Sequence, residues 1–224
     1  MVNYPKKSDY MTLKFRSIKH LPWSPGVHSD DKIAKNLDKL IGEQCIITEK
    51  LDGSNVMVSK HGVTSRGGNK NPWDENMWRY NSIFNRIRLK GPEHVLYFEN
   101  LYAIHSIEYP YLTDHIHFIG MQYKNEFFPP SIDIEHELYK TPTVPILDVF
   151  EPENEKHIQE VVEEIMKEES VYGGQKEGIV IMPYETFKIR YWHQLVFKYV
   201  RANHVQTNKE WKKNWKRAYI NSKL

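Results

Sequence analysis

Two apolar runs flank a polar knot in CIITEKLDGSNVMV, residues 45–58. Cys45, Ile46 and Ile47 read as a buried strand, and Val56, Met57 and Val58 as its return. Asp52-Gly53 between them matches a short hairpin turn, whose central residues take positive φ. On that reading Lys50 is an exposed residue near a turn. Further strands are predicted over HVLYFENLYAI, HIHFIGMQY, EGIVIM and HQLVFKYV, and GVTSRGGNKNP reads as strand then loop.

Helical spacing appears in four places. Ser29 caps the first helix, Asp30 and Asp31 suit its positive end, and Ile33, Leu37, Leu40 and Ile41 form its stripe before Gly42. Asp74 caps a second, with Met77, Trp78, Phe84 and Ile87, closing near Gly91. The clearest is NEKHIQEVVEEIMKEES, with Ile158, Val161, Val162, Ile165 and Met166 on one face. Trp211, Trp215 and Tyr219 recur every four residues near the end of the chain and predict a short C-terminal helix over 206–224. Strands and helices do not alternate regularly, so the expected class is α+β with largely antiparallel sheet.

At 224 residues with 40% hydrophobic content, the chain can form one substantial domain, expected over 1–205, plus that terminal helix. The lone Cys45 excludes a disulfide framework and suits a reducing compartment. No apolar run approaches membrane-spanning length, and the start lacks a signal-peptide apolar region; a cytoplasmic protein with no membrane partner is expected. The net charge of +2 hides an asymmetry. Lys209, Lys212, Lys213, Lys216, Arg217 and Lys223 face Glu210 alone, leaving the rest of the chain slightly acidic. Such a basic end suits either a polyanionic partner or a solvated helix face.

Several charges adjoin strongly apolar strands. Lys50 follows one, Glu99 follows VLYF, Glu177 precedes GIVIM and Lys198 follows LVF. A buried charge without a partner is costly, so these residues should converge on a shared site or each find a counter-charge.

EKLDGSN resembles the Lys-x-Asp-Gly nucleophile motif of covalent nucleotidyltransferases, the ATP-dependent polynucleotide ligases and RNA capping enzymes. SRGG, YFENLYAIHSIEY, KEGIVI and FKYVR are similar to the motifs that follow in that superfamily, in the same order. The third is similar in form to nick-sealing RNA ligases of the RNA ligase 2 type. The resemblance covers roughly residues 45–201 and implies a nucleotidyltransferase (adenylation) domain. It also replaces the reading of Lys50 as a mere turn residue.

The resemblance implies that Lys50 takes AMP from ATP as a phosphoramidate, with Lys198 and Glu177 as further catalytic groups. Asp52, Glu99 and Glu177 would hold Mg²⁺, for which Mn²⁺ can substitute, hard oxygen ligands suiting either ion. Glu49, Leu51 and Asn55 would seat the nucleotide, and Glu99 or Arg66 would reach the ribose. Lys198 would stabilise the α-phosphate charge. Where the family places an aromatic residue over adenine followed by an acid, FIGMQY offers Met121 and Gln122. Where it places a second lysine after Lys198, the chain has Val200, with Arg201 as a substitute.

The implied activity is ATP-dependent RNA ligation, joining a 5′-phosphate to a 3′-hydroxyl, including at a nicked duplex. A GTP-dependent capping-type guanylyltransferase and a catalytically inactive nucleic-acid-binding protein of the same fold are the alternatives. Lys188, Arg190 and Arg201, with the terminal Lys209, Lys212, Lys213, Lys216 and Arg217, are candidates for sequence-independent phosphate contact. Lys188, Arg190 and Tyr191 fit equally the polar face of a strand. His115 and His117 share a strand face but lack further ligands at metal-site spacing, so structural or solvent-facing roles are expected. The WSPG segment reads as a rigid turn.

Overall fold

The computed structural model describes residues 15–60, 62–66, 80–82, 85, 93–130, 141–204 and 215–221. Its strands are β1 (Lys19–His20), β2 (Cys45–Lys50), β3 (Ser54–Ser59), β4 (Gly62–Ser65), β5 (His94–Asn100), β6 (Ala103–Ile104) and β7 (Ile116–Tyr123). They continue as β8 (Glu126–Phe128), β9 (Ile146–Phe150), β10 (Gly178–Pro183), β11 (Phe187–Lys188), β12 (Phe197–Val200) and β13 (Lys216–Arg217). Helix α1 spans Glu155–Ile165 and α2 Trp192–Leu195.

One five-stranded sheet has the order β1-β12-β10-β2-β9 and a six-stranded sheet the order β11-β8-β7-β5-β3-β4. Only the β1–β12 pairing among them is parallel. β2 and β3 therefore lie in different sheets, and Asp52-Gly53 is a crossover between layers rather than a hairpin turn. The α+β class expected from the sequence holds.

Alternation along β2 explains the layering. Cys45 and Ile47 point to a cluster with Leu37, Leu40, Ile158, Val162 and Phe197, under α1. Ile46 points the other way, to a cluster with Met57, Val95, Tyr97, Phe127 and Trp192 between the sheets. The outer face of the second sheet carries Val56, Val58, Leu96, Phe98, Phe118 and Met121. Helix α1 forms where the 3.6-residue pattern placed it, with the Asn154 side chain accepting from the His157 N–H at 2.9 Å. Its Ile158 and Val162 are fully buried, each worth about 1.5–3 kcal/mol of transfer free energy.

Three elements differ from expectation. The Ile33–Ile41 stripe is not a helix. The His20 N–H donates to the Lys32 carbonyl and the Ala34 N–H to the His20 carbonyl, each at 2.8 Å, and only Asp38–Leu40 forms a 3-10 turn. Leu37 and Leu40 are nevertheless fully buried, whereas Ile33 is exposed. HQLVFKYV is not one strand, because the first four residues after Tyr191 coil into α2 and β12 begins at Phe197. At the end of the chain, Lys216–Arg217 pairs as β13 with β6 instead of continuing a helix. Ala218 enters a cluster with Leu51, Leu101 and Tyr109, which pulls this segment onto the domain. The expected helix residues Met77, Trp78, Phe84 and Ile87 lie outside the described residues, as do Lys209, Trp211, Lys212, Lys213 and Lys223. Among the described residues no helix is long and apolar enough to cross a membrane.

Candidate active site

Lys50 ends β2 at the point where the chain leaves the first sheet for the second. The crossover is tight. A Cβ on Gly53 would meet the Asn100 carbonyl oxygen at 2.5 Å and Leu101 Cδ2 at 2.8 Å, so close approach, not a turn angle, requires glycine here. Beside it, Asp52 Oδ2 accepts from the Ser106 N–H at 2.8 Å, the Ser106 hydroxyl at 2.5 Å and the Ile107 N–H at 2.9 Å. Its own N–H donates to Tyr109 Oη at 2.9 Å. One carboxylate oxygen of Asp52 is thus saturated, and Oδ1 is left for the site.

Lys50 faces a cleft of about 330 Å³ between the sheets. Lys50 and Gly178 pair across β2 and β10, which brings Glu177 against the amine. Lys50 Nζ donates to Glu177 Oε1 at 2.5 Å; the Lys50 side chain keeps 28% of its surface accessible and the Glu177 side chain 4%. Glu177 Oε2 has no hydrogen-bond partner among the described residues. Burial opposes the charge on Lys50, but Glu177, Glu99 and Asp52 together raise its pKa above the ordinary lysine value. Burial likewise raises Glu177, against the pull of Lys50.

The opposite wall comes from the second sheet. Asn55 and Glu99 pair across β3 and β5 and both line the cleft. Burial pushes the Glu99 carboxyl up to about 8, against Lys50 and with repulsion from Glu177 and Asp52. Arg66 follows β4, donates its backbone N–H to the Asn55 carbonyl at 3.2 Å, and also lines the cleft. Lys198 on β12 completes the cationic side; its Nζ donates to Asp31 Oδ1 at 3.1 Å. Burial lowers the Lys198 pKa, opposed by Asp31 and assisted by Lys50 and Arg66.

The remaining lining is mostly apolar, from Ile119, Val144, Val180, Met182 and Trp192. Two buried acceptors interrupt it: Glu49 Oε1 and Asn55 Oδ1 have no hydrogen-bond partner among the described residues. An apolar cleft with two such acceptors on its lining residues fits a heteroaromatic ring bearing amino hydrogens.

The RNA ligase family matches residues 43–200. The chain belongs to that family. Solved structures share its fold. One is an Aquifex aeolicus protein assigned as an ATP-dependent DNA ligase, at TM-score 0.54 and 21% identity, covering 84% of this chain and 50% of that one. Another is a Naegleria gruberi RNA ligase mutant with ATP and Mn, at TM-score 0.52 and 18% identity, covering 74% and 52%. A third is an archaeal ATP-dependent RNA ligase, at TM-score 0.52 and 15% identity, covering 84% and 48%. The chain spans about half the length of each. No curated protein matches it in sequence.

Within this RNA ligase family member, Glu49, Lys50, Leu51, Asn55, Arg66, Glu99 and Lys198 all line one cleft, with Asp52 and Glu177 adjoining Lys50. Met121 does not join them. β5 and β7 pair Tyr97 with Gly120 and then Phe98 with Phe118, so Ile119 is an extra, bulged residue. The bulge reverses the alternation, turns Ile119 into the cleft and sends Met121 into the outer core. Gly120 accommodates it with φ +155°. Gln122 accordingly serves the sheet, accepting from Tyr97 Oη at 3.1 Å.

Asp52, Glu177 and His204 each offer a ligand atom within 4.8 Å of the others, a group that adds His204 to two of the three expected acids; Glu99 interacts electrostatically with Asp52 and Glu177. Lys188 is engaged on the surface with Glu126 at 2.7 Å, and Arg190 sits in a 3-10 turn over the Tyr191 ring, so neither lines the cleft. Arg201 is also absent from the lining; its N–H donates to the Glu177 carbonyl at 3.0 Å, and Val200 is buried. His115 and His117 are buried structural residues, bonded to the Ala218 carbonyl and Tyr172 Oη. Asp31 and His204 carry no sequence signal for the site: Asp31 reads as an acid suited to the positive end of a helix that Ser29 caps, and a single histidine past the last motif has no spacing partner.

Proposed function

We propose that this chain is an ATP-dependent RNA ligase that works through a Lys50-AMP intermediate. The observation that carries the reading is Lys50 at the mouth of the crossover, reachable from the cleft, held by Glu177 and faced by Lys198 and Arg66. Adenine fits the apolar cleft, its 6-amino group meeting the unpaired Glu49 and Asn55 oxygens; guanine would present an acceptor there instead. Glu99 and Arg66 suit the ribose hydroxyls, and Lys198 and Arg66 the phosphates.

In the first step the Lys50 nitrogen bonds to the α-phosphorus and the bond to the β-phosphate oxygen breaks, releasing pyrophosphate. Lys50 must first lose a proton, and Glu177 Oε1 stands at hydrogen-bond distance to receive it. A divalent cation, Mg²⁺ or Mn²⁺, fits the site, because Glu177 has an orphaned buried oxygen and Asp52 Oδ1 is free of the donors that hold Oδ2. Bound there, it would supply positive charge that favours the neutral amine and offsets phosphate charge. The AMP then passes to an RNA 5′-phosphate, and a 3′-hydroxyl displaces AMP to seal the strand.

Intact-mass measurement after incubation with Mg²⁺ and either ATP or GTP tests this, following removal of bound AMP with pyrophosphate. A gain of one AMP from ATP, absent in Lys50→Ala, is expected. A gain of GMP would turn the reading to capping chemistry. No adduct with either nucleotide, with Mn²⁺ also tried, would leave a nucleic-acid-binding protein of this fold.

A further inference from the structure

We infer that His204 is a direct ligand in the cation site, making it a two-carboxylate, one-imidazole site that prefers a transition-metal ion such as Mn²⁺ to Mg²⁺. The inference rests on the proposed ligase reading for the cation's purpose, but not for its binding.

Three observations converge. His204 Nε2 lies 3.3 Å from Glu177 Oε1 and 3.8 Å from Asp52 Oδ1, and all three ligand atoms fall within 4.8 Å of one another. The Asp52 oxygen in this set is the one left free, since Ser106 and Ile107 saturate the other. The Glu177 side chain is 96% buried by the complement of its 4% exposure, yet its Oε2 has no partner among the described residues. Carboxylates so deeply placed call for a cation, and Lys50 satisfies only Oε1.

The imidazole decides which cation. An all-oxygen set suits Mg²⁺, which keeps its waters and takes nitrogen ligands poorly. A nitrogen ligand favours first-row transition ions, and Mn²⁺ accepts both carboxylate and imidazole. The position is also fixed by the fold: the chain leaves β12 at Val200, Arg201 hydrogen-bonds back to the Glu177 carbonyl, and Asn203 takes a left-handed φ of 59° that turns His204 inward to 6% exposure.

The test uses the full chain, stripped of metal and nucleotide, with Mn²⁺ as probe. Loss of the free Mn²⁺ electron paramagnetic resonance signal gives affinity, and pulsed measurements on the bound ion report directly coupled ¹⁴N. The wild-type protein should bind Mn²⁺ with imidazole ¹⁴N coupling and release it only to a large excess of Mg²⁺. Outer partners of ligands alone are worth about 10- to 100-fold in affinity, so His204→Ala should weaken Mn²⁺ by at least about tenfold while changing Mg²⁺ affinity less than about twofold. Absence of ¹⁴N coupling in the wild type, no Mn²⁺ binding, or Mg²⁺ competing at parity would each overturn the inference, without reliance on the variant folding. The AMP adduct separates this from the ligase reading. An adduct without ¹⁴N coupling sinks only the His204 role, and coupling without an adduct sinks only the ligase role.

Discussion

Lys50 Nζ, at the end of β2, and Glu177 Oε1, on the residue just before β10, stand 2.5 Å apart at the edge of the cleft. On the proposed mechanism this contact gives Glu177 two opposed duties, stabilising the resting ammonium and accepting its proton. Glu177→Gln keeps the shape but removes both, and we expect AMP-adduct formation to slow by about 10²-fold or more. Quench-flow mass measurement checks this. A rate within threefold of wild type would show that the proton leaves by another route.

Gly53→Ala should be damaging for a purely steric reason. Its Cβ would press on the Asn100 carbonyl and Leu101, with no flexible side-chain end to yield at the backbone oxygen. Overpacking of this kind costs about 1–3 kcal/mol, and the displaced crossover carries Lys50 and Asp52. Urea unfolding and adduct formation should both suffer; an unperturbed variant would mean that the two sheets separate more easily than the geometry implies.

His20 gives a pH dependence with a definite sign. It is fully buried, its Nδ1 paired with Ser24 Oγ at 2.8 Å, and burial followed by Lys198 lowers its pKa below 6.5 despite Asp31. The folded state then binds fewer protons than the unfolded one below that pH. His20 therefore contributes stability above 6.5 that is lost as pH falls through its lowered folded value. Thermal melts of His20→Asn between pH 5 and 7.5 should show a flatter acid slope, by at most about 1.4 kcal/mol per pH unit. An unchanged slope assigns the proton uptake to other groups.

Cys45 should be chemically silent. It is fully buried in β2, and burial with Glu43 nearby pushes its thiol up to about 12. Alkylation by iodoacetamide at pH 8 should be undetectable in the native protein within an hour and rapid in 8 M urea, about the concentration needed to unfold most domains. Fast native labelling would show that β2 opens.

Much of this site was legible because charge beside an apolar run is costly, and Lys50, Glu99, Glu177 and Lys198 are all marked in that way. The apolar run marked β2 as buried, and helical spacing placed the buried face of α1. Neither could say that β2 and β3 belong to different sheets, because an apolar pattern identifies a buried strand and not its partner. One bulged residue, Ile119, exchanged the expected base-facing Met121 for itself, and nothing local in FIGMQY announces the slip. The Leu37 and Leu40 spacing found buried positions without fixing their backbone, which leaves its pairing with β1 at Ala34 and closes into a single 3-10 turn at Asp38–Leu40. Asp31 and His204 reach the site only through long-range folding, so no spacing rule could join them to Lys50.

Transfer of the nucleotide from Lys50 to an RNA end is the step that defines a ligase. Purified Lys50-AMP protein, free of ATP, should be mixed with a nicked RNA duplex carrying a labelled 5′-phosphate at the nick and a divalent cation. A single turnover of sealed strand is expected, with loss of the adduct mass and release of AMP. Adduct that persists while the nick stays open, on RNA duplexes and single strands alike, would rule out RNA ligation by this chain.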